Sequence, residues 1–132
     1  MKSSVNPRIV IVPKIIGYCL SDDKKAALMD IAREINTNLN LVGVEAAGRL
    51  VGNLVGINGI PNDRENPAVP PAECEILIMS GLKNTTMDKF LKLLRERGAT
   101  VDIKCVVTSE NQNWRLYRLV EELKAEHEKF NK

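Results

Sequence analysis

One histidine in 132 residues, no Cys-x-x-Cys spacing and five aromatic side chains: these scarcities exclude whole classes of function. His127 falls in a charged stretch, and Cys19, Cys74 and Cys105 are far apart, so a structural metal site lacks its ligand set. A nucleophile paired with an imidazole base lacks its base. The odd cysteine count argues against a disulfide framework, and Cys105, inside the apolar run Ile103–Val107, reads as a reduced, buried thiol. With 19 basic against 17 acidic residues the net charge is only +2. No basic block stands apart from acidic neighbours, so nucleic acid is not an expected partner. No apolar run approaches the ~20 residues of a membrane span. Lys2 is not followed by an apolar stretch, and Pro7 and Pro13 interrupt what comes next, so no membrane association or export signal is expected. A reducing cytoplasm is the expected location.

What is present is an ordinary core-forming composition, 44% apolar and 27% charged, enough for a single domain over residues 1–132. Ile9–Val12 reads as a short buried strand. Ser21 offers an N-cap, with Asp22 and Asp23 suited to the positive end of a helix. Leu28, Ile31, Ala32 and Ile35 recur at helical spacing, and Asn36, Thr37 and Asn38 end the helix. Leu39–Val44 reads as a second strand, and Ala46–Val55 as a short helical piece.

The second half repeats the plan. Glu75–Met79 reads as a strand, with Gly81 as a turn residue. Asn84, Thr85 or Thr86 would cap a helix, Thr85 with Asp88 approximating a capping box. Met87, Phe90, Leu91 and Leu94 form its inward face, and Gly98 is its stop. Val101–Thr108 is the next strand, and Leu116, Leu119, Val120 and Leu123 line the inner face of a final helix. The pattern gives pseudo-repeat halves at 8–57 and 74–130, joined by a Pro-rich linker at 58–73. The expected fold class is α/β: a three-layer sandwich around a small, mostly parallel four-stranded sheet, order 2-1-3-4. Carboxyl strand ends would then share one edge, where ligands of open α/β sheets sit.

That edge collects the candidate ligand-binding residues. They are Lys14 from the first strand end, Ser80, Gly81 and Asn84 from the third, and Thr108, Ser109, Asn111, Asn113, Trp114 and Arg115 from the fourth. Pro13, Gly17 and Lys83 lie beside them. Thr108–Trp114 supplies hydroxyls, amides and an indole N–H for gripping a polar ligand, or else a self-satisfied turn with Trp114 plugging the core. Arg115 and Arg118, three apart, could meet a carboxylate or phosphate. Gly48, Gly52 and Gly56 share a helical face; close packing is favoured over a phosphate-binding loop, because no G-x-G-x-x-G turn or following lysine is present. Ser80-Gly81 lacks the G-x-S-x-G context of a hydrolase. Asp22-Asp23 and Glu121-Glu122 diverge around their helices and read as solvated faces.

Leu50–Ile60, Ile78–Leu82, and above all Lys104–Thr108 with Asn111–Trp114 and Glu121–His127, resemble a small bacterial family, the domain of unknown function 3783. The resemblance spans most of residues 8–128. Members commonly show Lys-Ala-Val-x-Thr-Pro at a strand end, then Asn-x-Asn-Trp and a Ser or Thr cap. Here Cys105 replaces the alanine, Ser109-Glu110 the Thr-Pro step, and Arg115 the cap hydroxyl. The resemblance implies a compact, cytoplasmic bacterial protein and carries no assigned activity.

The first functional expectation is a non-enzymatic ligand-binding or regulatory module, needing no cofactor, for a small polar ligand or a protein partner. One alternative is an enzyme using the crevice, with Lys14 or Lys83 polarising a phosphate. The other is a structural or interaction protein whose linker or Gly48–Gly56 helix face meets a second copy, as a homodimer, or a partner.

Overall fold

The computed structural model describes residues 12–57, 60 and 74–130. Among the described residues four strands and four helices alternate: β1 (Lys14–Tyr18), α1 (Asp22–Glu34), β2 (Asn38–Val42), α2 (Val51–Leu54), β3 (Ile76–Ser80), α3 (Asn84–Glu96), β4 (Ile103–Val106) and α4 (Leu116–Phe130). Two 3₁₀ turns, Val44–Ala46 and Asn111–Asn113, precede α2 and α4. The sheet order is β2-β1-β3-β4.

The expectation of parallel strands sharing one carboxyl edge is corrected at the centre of the sheet. β1 and β2 run parallel, as do β3 and β4, but β1 and β3 pair antiparallel, from Lys14 opposite Ser80 to Tyr18 opposite Ile76. The sheet is therefore mixed. Each strand–helix–strand unit fixes only its own internal direction, and the long 58–73 connection leaves the second unit at liberty to join head to tail. The carboxyl ends of β1 and β2 consequently open on one edge, and those of β3 and β4 on the opposite edge.

Strand alternation sorts the core into two faces. Ile16, Tyr18, Ile76 and Ile78 pack with Val51, Leu54, Leu116, Leu119 and Val120, so α2 and α4 cover one face. Ile15, Leu77 and Met79 pack with Leu28, Ile31, Phe90, Leu93 and Leu94, so α1 and α3 cover the other. Tyr18 and Phe90 are both fully buried.

The first described strand, β1, follows the expected Ile9–Val12 run. Ile9–Ile11 lie outside the described residues, Val12 is half-exposed, and β1 begins at Lys14. Lys14 thus stands at the start of the strand, not at its end, and arrives beside Ser80 because of the antiparallel seam. The linker also lies outside the described residues apart from Ile60, which packs on the α2–α4 core.

Local chemistry explains the helix bounds. The Ser21 hydroxyl accepts from the Lys24 N–H at 3.4 Å, with Asp22 and Asp23 in the first turn. α3 starts at Asn84, so Lys83 occupies the cap position that Asn84, Thr85 or Thr86 were expected to fill, and no side chain caps the helix. Asn36 and Gly98, at φ 54° and 65°, end α1 and α3 in the left-handed conformation. In both, the next residue's N–H returns to a carbonyl five residues back, Thr37 to Ala32 and Ala99 to Leu94, each at 2.9 Å.

Candidate functional site

A shift of 62 residues, 14 to 76, carries β1 onto β3 and α1 onto α3 without a gap. It also carries Cys19 (φ 54°) onto Gly81 (φ 73°) and Asn36 onto Gly98. Ser21 and Lys83 are the corresponding helix caps. Both helix starts therefore leave a left-handed turn at a strand end, one on each edge of the sheet.

The helix starts differ in what faces them. At α1, Glu75, the residue before β3, presents its carboxylate: the Ser21 N–H donates to Oε2 at 2.9 Å and the Lys24 ammonium to Oε1. The Lys24 hydrogen bond and, less strongly, the Ser21 N–H hold the Glu75 carboxyl below its usual range against the opposing effect of burial. At α3 the corresponding position, 75 minus 62, is Pro13, which has no charge. A cavity of about 190 Å³ lies there, lined by Pro13, Ile35, Asn36, Thr37, Gly81, Leu82, Lys83 and Thr86.

The expected ligand residues divide between this cavity and a separate turn. Gly81 lines the cavity. Asn84 is exposed at the first turn of α3. Ser80 is 2% exposed and, with Lys14, belongs to the sheet face covered by α2 and α4. The Lys14 ammonium lies toward Gly56, 4.0 Å from where a Cβ on that glycine would stand.

Thr108 through Trp114 closes on itself. The Thr108 N–H donates to Asn111 Oδ1 at 2.8 Å, the Asn111 N–H returns to Thr108 Oγ1 at 3.0 Å, and Asn111 Nδ2 donates to the Val106 carbonyl at 3.2 Å. Asn113 Nδ2 reaches the Ser109 carbonyl at 3.4 Å. Trp114 packs on the core with the Arg118 guanidinium 4.1 Å over its ring. Arg115 Nη1 donates to the Gly48 carbonyl at 2.9 Å. The two arginines are thus engaged within the fold, and the turn's amides satisfy its own backbone.

The glycine pattern serves packing. A Cβ on Gly52 would stand 2.9 Å from the Gln112 carbonyl oxygen, so α2 and the Asn111–Asn113 turn approach through bare backbone. Gly56 is left-handed at φ 77° where α2 ends.

Residues 75–130 match the model of one family, the domain of unknown function 3783. Over this stretch the chain is similar to that family. The domain of unknown function 3783 takes in β3, α3, β4 and α4, including Ile78–Leu82 and Lys104–His127, and leaves Leu50–Ile60 outside. No curated protein and no solved structure matches the chain. Among the described residues no helix is long and apolar enough to cross a membrane, and no cluster of three His, Cys, Asp or Glu side chains is placed to hold a metal ion.

Sequence reading named Pro13, Gly81 and Lys83 but missed Thr86, Asn36 and Thr37, which reach the cavity from the start of α3 and the end of α1. The signal available was the 62-residue correspondence of turns and caps, which slight residue identity between the halves conceals. It also missed Glu75 as the partner of Ser21 and Lys24, since an antiparallel β1–β3 pair is needed to bring them together.

Proposed function

We propose that the protein is a non-enzymatic binding module whose ligand presents a carboxylate or phosphate to the start of α3. One observation carries this reading. The start of α1 already holds a carboxylate, that of Glu75, while the equivalent position at α3 offers Pro13 and a cavity. An anion entering there would meet the first-turn N–H groups, the Thr86 hydroxyl and the Lys83 ammonium, the chemistry by which helix starts hold anions. The lining residues include no carboxylate, imidazole or thiol, which favours binding over acid–base or nucleophilic catalysis. The two halves act in this reading as a repeat, one with its anion built in and one left to receive it.

Thermal unfolding with inorganic phosphate, against matched chloride, tests this. A saturable rise is expected, amounting to about 2.7 kcal/mol at a hundredfold excess over Kd. Lys83→Ala should lose it, and Asn113→Ala, altered only in its own turn, should keep it. No saturable rise, or an equal rise in Lys83→Ala, removes the reading.

A further inference from the structure

The opposite edge of the sheet, where β1 ends and β3 begins, gathers groups that the anion cavity does not use. Cys19 follows β1 and Cys74 lies two residues before β3. Continuing the antiparallel register from Tyr18 opposite Ile76 puts Cys19 opposite Glu75, one step from Cys74. Were sheet spacing to continue one step past that last pair, the two Cα atoms would stand about 6 Å apart, inside the range that a disulfide spans. Regular alternation would send neighbouring side chains to opposite faces, but Cys19 has φ 54°. That left-handed turn lets both cysteines pack against the same Tyr18-containing core. Tyr18 hydrogen-bonds to the Cys19 side chain; burial raises the Cys74 thiol, Lys124 opposes that rise, and charge on Cys19 adds to it.

Access differs among the thiols. Cys74 lines a cavity of about 210 Å³ with Lys24, Glu75, Thr100, Asp102, Ile103 and His127. Cys105 sits on the same core face but within β4, where burial pushes its thiol up to about 12.

We infer that Cys19 and Cys74 are a redox pair, closed to a disulfide by a hydroperoxide that enters through the cavity beside Cys74. The Cys74 sulfur attacks one peroxide oxygen, the O–O bond breaks, and Cys74 becomes a sulfenic acid as the first water leaves. The Cys19 sulfur then displaces the hydroxyl as a second water and forms the S–S bond. Two thiols and one hydrogen peroxide give one disulfide and two waters. The two sulfurs together lose two electrons and the peroxide gains them. The Cys74 end adjoins the 58–73 connection, so closure fastens the entry to β3 onto the β1–α1 turn.

The test uses the full chain, reduced, freed of reductant and treated with hydrogen peroxide. Thiol titration in denaturant should fall from three thiols to one, with a mass loss of about 2 Da and a linked Cys19–Cys74 peptide. A reducing dithiol should reverse it. Cys105→Ser should lose both its thiols in the same way, whereas Cys19→Ala should accumulate a Cys74 sulfenic acid trappable by dimedone. Three thiols retained, direct conversion of wild-type Cys74 to a sulfinic acid, or a bond involving Cys105 overturns the inference. Peptide mapping of the wild-type protein decides the matter even where a variant fails to fold.

Discussion

Asn111 shows how one polar side chain can be spent inside a fold. It is 9% exposed and serves two backbone groups, accepting from the Thr108 N–H and donating to the Val106 carbonyl. Removing the amide leaves both groups without that partner, at a cost of about 1–3 kcal/mol. Asn111→Ala should therefore lower the unfolding free energy by that amount, read as an earlier denaturation midpoint with an unchanged slope. Asn113→Ala, at an exposed position with one longer bond, should fall within about 0.5 kcal/mol of wild type. The residue types of this turn were legible as hydrogen-bonding groups; whether they faced a ligand or each other was not, because both arrangements use the same Asn and Ser chemistry.

At the scale of elements, the Gly48–Gly56 stretch and the start of α4 form one joint. Leu116 N–H donates to the Arg49 carbonyl at 2.8 Å, Tyr117 N–H to Ala47 at 2.9 Å and Val51 N–H to Trp114 at 2.9 Å. Gly52 faces the Gln112 carbonyl within this joint, so Gly52→Ala drives a methyl against that backbone oxygen. A loss of about 1–3 kcal/mol is expected, read by chemical denaturation. Protection of the 111–117 amides from hydrogen exchange should fall in the same variant. α1, α3 and α4 were readable because apolar residues at helical spacing also define buried faces, as with Leu28 and Ile31 or Leu116, Leu119 and Val120. β1 was not readable. Ile9–Val12 is the stronger local signal, while Lys14 and Gly17 weaken Lys14–Tyr18, whose strand identity comes from pairing on both sides.

Across the whole molecule, Glu75 fastens the second half to the first. Its carboxyl is held below the ordinary value, so the stability it contributes is present above the unfolded-state pKa of about 4.3 and is lost as pH falls through the lower folded value. Wild type should lose this increment on acidification below about pH 4, whereas Glu75→Gln should lack it at neutral pH and show a flatter acid limb. Lys24 and Glu75 are partly exposed, at 26% and 32% of their side chains, which limits the neutral-pH difference to about 1 kcal/mol. Urea melts from pH 7 down to pH 3 would measure both.

The amino-acid order determined the elements whose information is local: caps such as Ser21, stops such as Asn36 and Gly98, and the apolar stripes that must leave water. It also suggested the 2-1-3-4 strand order that the sheet adopts. Only the tertiary structure decided that β1 and β3 run in opposite directions, because no residue within either half records the direction of the strand it will meet. That single choice set Glu75 at the start of α1, Pro13 beside α3, and Cys19 and Cys74 against one core. The proposed sites lie on contacts between the two halves, and contacts between distant segments are what a one-dimensional pattern does not contain.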